Sequence, residues 1–159
     1  MTRLLVESDK TVDDANKVLQ EATPLFQQLM ESVDGSGLDV VRKEKQELAR
    51  QVSDHFGKAA TMLQAAAKEV DDALQHKMGD KINPFLAAKA TSYRLTADAC
   101  QRNQEIVALV LDKKVATIAD LLPKIDALAA QREALEKQAA EASAQADEAA
   151  KQAKSSPKS

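Results

Sequence analysis

Hydrophobic residues recur every three or four positions along most of the chain, which is the spacing of one face of an α-helix. Turn signals divide this pattern into four segments. The first helix is predicted to begin at a cap formed by Thr11 with Asp14 and to end at the Asp-Gly-Ser-Gly sequence of residues 34–37. Pro24 lies inside this segment, so we expect a kink there or a break at Thr23.

The second predicted helix is long and runs from about Leu38 to Met78, with Gly57 in its middle. A glycine there is compatible with a slight bend, a close helix crossing or a tolerated surface position. The third predicted helix begins with Asn83 as its N-cap and Pro84 at its first helical position, an order that helix starts favour.

The third helix has an apolar face that covers nearly half its circumference, so we expect it to lie centrally and contact at least two neighbours. Two positions for its end are open. In the first version the third helix ends at residues 112–114, Thr117 caps the fourth helix, and Pro123 kinks the fourth helix. In the second version the third helix continues to about Ala119, and Pro123 lies in the first turn of the fourth helix. The first version is slightly favoured.

The fourth helix carries an apolar heptad up to Leu135, the last large apolar residue of the chain. Residues 136–154 consist mainly of alanine, glutamine and charged residues, which predicts a helical extension that projects from the bundle, and residues 155–159 predict a disordered tail. The pattern therefore predicts an all-α fold. Residues 1–135 would form an antiparallel, up-down-up-down four-helix bundle with coiled-coil packing.

Composition agrees with a helical fold and narrows the function. Aromatic residues make up only 3% of the chain, and the four glycines all precede residue 80, so a sheet would lack turn residues. The net charge of −3 gives no basic stripe for nucleic acid. The N-terminal apolar run is too short for a signal peptide and no stretch is long enough for a membrane span, so we expect a cytoplasmic protein, with leaderless secretion left open.

Residues with catalytic or metal-binding chemistry are sparse. His55 and His76 lie on the second predicted helix without the Glu-x-x-His motif of a di-metal bundle. Asp72, His76 and Asp80 are spaced four apart and suggest at most a weak surface metal site, so we interpret them as ordinary surface residues. Cys100 lies on the apolar face of the third helix and is expected to be a small buried hydrophobe. The sequence predicts no catalytic residue, no metal and no cofactor, and hence no enzyme.

Several polar residues interrupt the apolar faces. Asn103 lies in mid-stripe and must find a hydrogen-bond partner or lose about 1–3 kcal/mol. It either fixes the register of the helices or lines a groove for a ligand or peptide, and we favour the first. Arg132, like Lys45 and Lys89, is expected to lie near a bundle end or to extend its charged group to water.

These features favour a non-enzymatic protein-interaction module, such as an adaptor, a secretion or assembly chaperone, or a structural subunit. The partner would be another protein or a second copy of the chain, bound through an amphipathic helix face. The alternative is a bundle that opens on a lipid surface, although the polar faces are mixed in charge and tryptophan is absent. The residues predicted to bind the partner are Tyr93, Cys100, Asn103, Val107, Leu128 and Leu135.

Overall fold

The computed structural model describes residues 2–76 and 79–155, and these residues form helices without any strand. This confirms the predicted all-α, helical-bundle fold, although the described residues form five helices where the sequence predicted four. The helices are α1 (Thr2–Ser36), α2 (Leu38–Glu44), α3 (Gln46–Gln75), α4 (Asn83–Leu111) and α5 (Ile118–Ser155).

Helix α1 begins nine residues earlier than predicted and passes Pro24 without a break. Thr11 is not a cap, because its hydroxyl donates a hydrogen bond to the carbonyl of Glu7 one turn earlier, at 2.9 Å. The preceding turns are held by Ser8, which is buried and donates to the carbonyl of Ala66 on α3 at 3.0 Å. The apolar pattern alone does not reveal this start, since the buried residue there is a serine.

The prediction of one long helix from Leu38 onward is wrong. Gly37 adopts a positive φ of 87° that ends α1, and Lys45 separates the short α2 from α3. The side chain of Arg42 donates to the backbone carbonyls of Val110 and Asp112 at 2.9 and 2.7 Å, which fastens α2 over the C-terminal end of α4. Helix α2 therefore contacts α4 as well as its chain neighbours α1 and α3. The predicted end near Met78 lies outside the described residues.

The boundaries of α4 and α5 resolve the two alternatives for this region. Helix α4 ends at Leu111, and the backbone N–H of Asp120 donates to the Thr117 hydroxyl at 3.1 Å, which confirms Thr117 as the cap of α5. Pro123 lies inside α5. At the other end, Asn83 is the first residue of α4 and not its cap, since Ile82 precedes the helix without a side-chain capping bond.

The long helices pack in chain order: α1 on α3, α3 on α4, and α4 on α5. As expected, α4 therefore lies between two neighbours. Within the described residues, α1 and α5 do not form a packed helix pair. The helices share a core of alanine, valine and leucine, in which the ring of Phe26 meets that of Phe56 edge-on with centroids 5.7 Å apart.

The prediction that residues 136–154 project from the bundle is also wrong. Helix α5 continues without interruption to Ser155, and Ala139, Ala142 and Ala146 on it are buried. Ser92 on α4 donates a hydrogen bond to the carbonyl of Ala139 at 3.1 Å, so the two backbones approach closely here. Alanine buries little area by itself, but a row of alanines lets two helices pack at short distance. Apart from Ser155, the predicted tail lies outside the described residues.

Gly57 marks a close crossing of α3 and α4. A Cβ atom at this position would lie 2.6 Å from the Nε2 atom of Gln104. That same nitrogen donates a hydrogen bond to the carbonyl of Ser53 at 3.0 Å. Glycine therefore leaves space for an interhelical hydrogen bond that a larger residue would displace.

The packing of the C-terminal half of α5 predicts that Ala142→Glu destabilises the fold by about 3 kcal/mol, since a carboxylate would enter a buried helix contact. Ala140→Glu is the matched control, because Ala140 is exposed on the same helix, and should change the free energy of unfolding by about 0.5 kcal/mol or less. Urea unfolding followed by circular dichroism measures both. Equal, small effects would contradict the packed arrangement.

The close crossing at Gly57 predicts that the effect of Gly57→Ala on stability depends on the residue at position 104. In the wild-type background, Gly57→Ala gains about 1 kcal/mol of helix propensity but loses the Gln104 hydrogen bond, worth about 1 kcal/mol, so stability should change little. In a Gln104→Ala background no bond remains to be lost, and Gly57→Ala should stabilise by about 1 kcal/mol. Urea unfolding of the four proteins forms a double-mutant cycle. Additive effects would show that the two residues do not interact.

Candidate partner-binding groove

A groove of about 490 Å³ lies where α1 and α5 face each other without packing. Helix α1 forms one wall, α5 forms the other, and α3 and α4 form the floor. The lining residues are Leu19, Thr23, Phe26, Gln27 and Met30 on α1, Phe56 on α3, Thr96, Ala99, Cys100 and Asn103 on α4, and Arg132 and Glu136 on α5.

The α1 wall follows the helical repeat. Leu19, Thr23, Phe26 and Met30 are spaced four, three and four residues apart, so they lie on one face of α1. At 1.5 Å per residue this face extends for about 17 Å, or about three turns. Leu19, Phe26 and Met30 are only partly buried by the rest of the chain. The wall is thus an apolar helix face that no other helix of the described chain covers completely.

The rim of the groove is polar. Thr23, Gln27 and Glu136 are all exposed. The Thr23 hydroxyl donates a hydrogen bond to the carbonyl of Leu19 at 2.9 Å. An apolar interior surrounded by polar side chains is the usual arrangement of a surface that other molecules bind.

A pair of polar side chains joins the floor to the α5 wall. Asn103 is 7% exposed, and its Oδ1 atom accepts a hydrogen bond of 3.0 Å from the guanidinium of Arg132. The Nε atom of Arg132 lies 3.8 Å from a carboxylate oxygen of Glu136, beyond hydrogen-bond distance. Asn103 therefore has the partner that its position in the apolar stripe required, and it also lines the groove. Arg132 donates its hydrogen bond to Asn103 and does not lie at a bundle end.

Cys100 lies on the floor of the groove and is 3% exposed. Burial raises the pKa of its thiol to about 12, and the negative charge of Glu136 adds to the rise. Because the thiol stays protonated at neutral pH, its environment suits an apolar contact and not nucleophilic chemistry.

The other residues predicted to bind a partner lie elsewhere. Tyr93 is half-buried, and the Lys89 ammonium lies 6.0 Å from its ring centroid while bonding to Asp9 at 2.8 Å. Burial lowers the pKa of Lys89, but the hydrogen bonds and charges of Asp9 and Tyr93 outweigh it and leave that pKa raised. Lys89 thus pairs across to α1 and lies away from the groove.

Val107, Leu128 and Leu135 are likewise not part of the groove lining. Val107 is buried and forms the floor of a second recess of about 310 Å³ between α3 and α4. Leu128 is half-buried, packs on the core and borders a shallow recess near Asp112. Leu135 is half-buried on α5. Of the six predicted residues, the structure brings together Cys100 and Asn103.

Sequence reasoning missed the α1 wall. Phe26 and Met30 lie on the apolar stripe of the first helix, where the pattern indicates burial and does not distinguish a core contact from a groove wall. Arg132 gave a usable signal, because it replaces an apolar residue in the heptad of α5. A polar residue at such a position marks either a structural pair or a binding surface.

Other kinds of site lack support in the described part of the chain. No group of three or more His, Cys, Asp or Glu side chains there is arranged to hold a metal ion. His55 bonds through Nδ1 to the carbonyl of Gln51 at 2.7 Å and lies with Nε2 3.5 Å from Glu21, as a surface residue does. None of the helices in residues 2–76 and 79–155 has an apolar stretch long enough to cross a bilayer.

Compared with known proteins, the chain matches no family model, no curated protein and no solved structure.

The raised pKa of Cys100 predicts slow alkylation in the folded state. At pH 8 the folded chain should react with iodoacetamide about 100-fold more slowly than the chain in 8 M urea, because the more than about 1,000-fold loss of thiolate outweighs the higher nucleophilicity of a more basic thiolate. From pH 7 to pH 10 the rate of the folded chain should keep rising about tenfold per pH unit, whereas that of the unfolded chain levels off near pH 9. Mass spectrometry of the modified protein measures both rates. A folded chain that reacts as fast at pH 8 as the chain in urea would contradict the assignment of a buried thiol.

Proposed function

We propose that this protein is a non-enzymatic interaction module that binds an amphipathic helix of a partner protein in the groove between α1 and α5. The observation that carries this proposal is the partly covered apolar face of α1, which lies opposite α5 without packing on it. Docking of an amphipathic helix in a hydrophobic groove is a recurring mode of partner recognition, which an adaptor, an assembly chaperone or a structural subunit can use.

We also infer that the four long helices run up-down-up-down, so that α1 and α5 form the two open edges of the array. Contacts between successive long helices support this order, because residue numbers rise on one helix as they fall on the next. The contacts are Ser8 with Ala66, Glu21 with His55, Asp71 with Arg94, Ser53 with Gln104, Ser92 with Ala139, and Asn103 with Arg132.

A helix is the occupant that the groove fits best, for two reasons. The walls are themselves helices, and the ridges formed by Leu19, Thr23, Phe26 and Met30 match the grooves of another helix surface. The apolar wall also extends about three turns, the length over which a bound helix presents side chains at positions i, i+3, i+4 and i+7.

The chemistry of the groove suits burial of apolar side chains. Its volume lies within the range of about 300–1,000 Å³ that is typical of binding pockets. Phe26, Phe56 and Met30 supply aromatic and thioether surface, and such residues provide much of the affinity at interfaces. Cys100, with its thiol protonated, adds to the apolar floor.

The test uses a displayed library of amphipathic helical peptides, selected on the full chain. Peptides that bind should slow the alkylation of Cys100, because they cover the floor of the groove. The double variant Thr23→Glu/Gln27→Glu places two carboxylates on the α1 rim and should weaken binding of the selected peptides about tenfold or more, measured by fluorescence anisotropy.

The matched control is Gln20→Glu/Gln28→Glu, which adds the same charge at exposed positions of α1 outside the groove lining. It should change affinity by about twofold or less. Circular dichroism and urea unfolding establish that both double variants retain the fold. Peptides that bind the rim variant as well as the wild type, or a selection that enriches no helical sequence, would overturn the proposed function.

A further inference from the structure

We propose that the partner helix presents a carboxylate side chain, aspartate or glutamate, to Arg132 and Asn103 at the centre of its apolar face. This inference rests on the proposed function and adds to it the chemistry that the groove selects.

Two groups in the groove have hydrogen-bond donors that the chain leaves unused. The Arg132 guanidinium has five N–H donors in general, and a hydrogen bond to Asn103 uses one of them. The Asn103 amide accepts that bond through Oδ1, while its Nδ2 atom makes no hydrogen bond with any residue that the structure describes. Both side chains line the groove.

Other polar groups in the lining do not supply the missing acceptor. The hydroxyl of Thr96 donates to the carbonyl of Ser92 at 2.9 Å. Glu136 is the carboxylate nearest to Arg132, but its side chain is 56% exposed and its oxygen lies 3.8 Å from the Arg132 Nε atom. Hydration therefore competes with that ion pair, and the Arg132 guanidinium makes no hydrogen bond to a carboxylate among the described residues.

A bound helix would bury the unused donors of Arg132 and Asn103 at a cost in binding free energy unless it supplied a hydrogen-bond acceptor. The Arg132 side chain is only 21% exposed in the open groove, and an occupant would remove the remaining water. An arginine that loses water without gaining a partner destabilises a complex strongly, and an amide nitrogen left without an acceptor adds to the cost. A purely apolar helix would therefore be rejected at this position.

A carboxylate satisfies both groups at once. It has two oxygens, it accepts hydrogen bonds only, and it pairs with a guanidinium through two parallel bonds. One oxygen can remain with Arg132 while the other is shared with the Asn103 amide, since the two side chains are already joined at 3.0 Å. The surrounding side chains of Phe26, Phe56 and Met30 lower the local dielectric constant and strengthen the pair.

The experiment repeats the helical-peptide selection with one position at the centre of the apolar face randomised. With the wild-type chain, Asp and Glu should be enriched there. Replacing that residue by its amide should weaken the peptide about tenfold for the wild type and about twofold or less for Arg132→Leu, as a double-mutant cycle requires.

Two further variants keep the test decisive if Arg132→Leu fails to fold. Asn103→Asp preserves shape and supplies an internal carboxylate to Arg132, so it should abolish the preference for an acidic peptide. Glu136→Gln removes the competing carboxylate and should strengthen binding of the acidic peptide about threefold, with no gain for its amide counterpart.

The outcomes separate the two proposals. Peptides that bind, respond to the Thr23→Glu/Gln27→Glu variant and show no acidic preference would overturn this inference and leave the proposed function standing. A selection without any groove-dependent peptide would overturn both. Binding of laurate, a free alkyl carboxylate, in the absence of any bound helical peptide would assign the groove to a small amphiphile and likewise overturn both.

Discussion

Small residues at the contacts of α4 with α3 and with α5 allow both helices to approach α4 closely. The arrangement of the long helices depends on these two contacts, because α4 lies between α3 and α5. At the contact with α3, Gly57 of α3 leaves the space in which the Gln104 amide donates a hydrogen bond to the carbonyl of Ser53. On the α5 side, Ser92 reaches the carbonyl of Ala139 beside two further buried alanines. The distance between packed helices depends on the side chains at their contact, so alanine and glycine bring the axes together.

The two walls of the groove differ in chemistry. Helix α1 carries the large apolar residues Leu19, Phe26 and Met30 on the face toward the groove, whereas α5 contributes the side chains of Arg132 and Glu136 to the opposite wall. Packing α5 directly on α1 would press these two charged side chains against apolar ones, which is costly. The difference between the walls therefore favours an open groove over a closed helix pair.

The same apolar surroundings govern the polar groups within the groove. Burial disfavours the thiolate of Cys100 and raises its pKa to about 12. It also strengthens the hydrogen bond between Arg132 and Asn103, since water competes less for either group. An environment of this kind penalises any donor that remains unpaired, so a few fixed donors decide which occupant binds, while the apolar walls supply most of the affinity.

The sequence by itself determined the helical class, because that depends on local spacing, propensity and capping. The break at Gly37 and the cap at Thr117 were readable for this reason, as was the need of Asn103 for a partner. The burial of Ala142 was not readable, nor was the start of α1 before Ser8, because an alanine or a serine is buried only if another helix lies opposite it. Whether Phe26 is a core residue or a groove wall depended likewise on the distance between α1 and α5, which no local pattern encodes. Tertiary structure decided these points, since burial and binding surfaces are properties of pairs of elements that are distant in the chain.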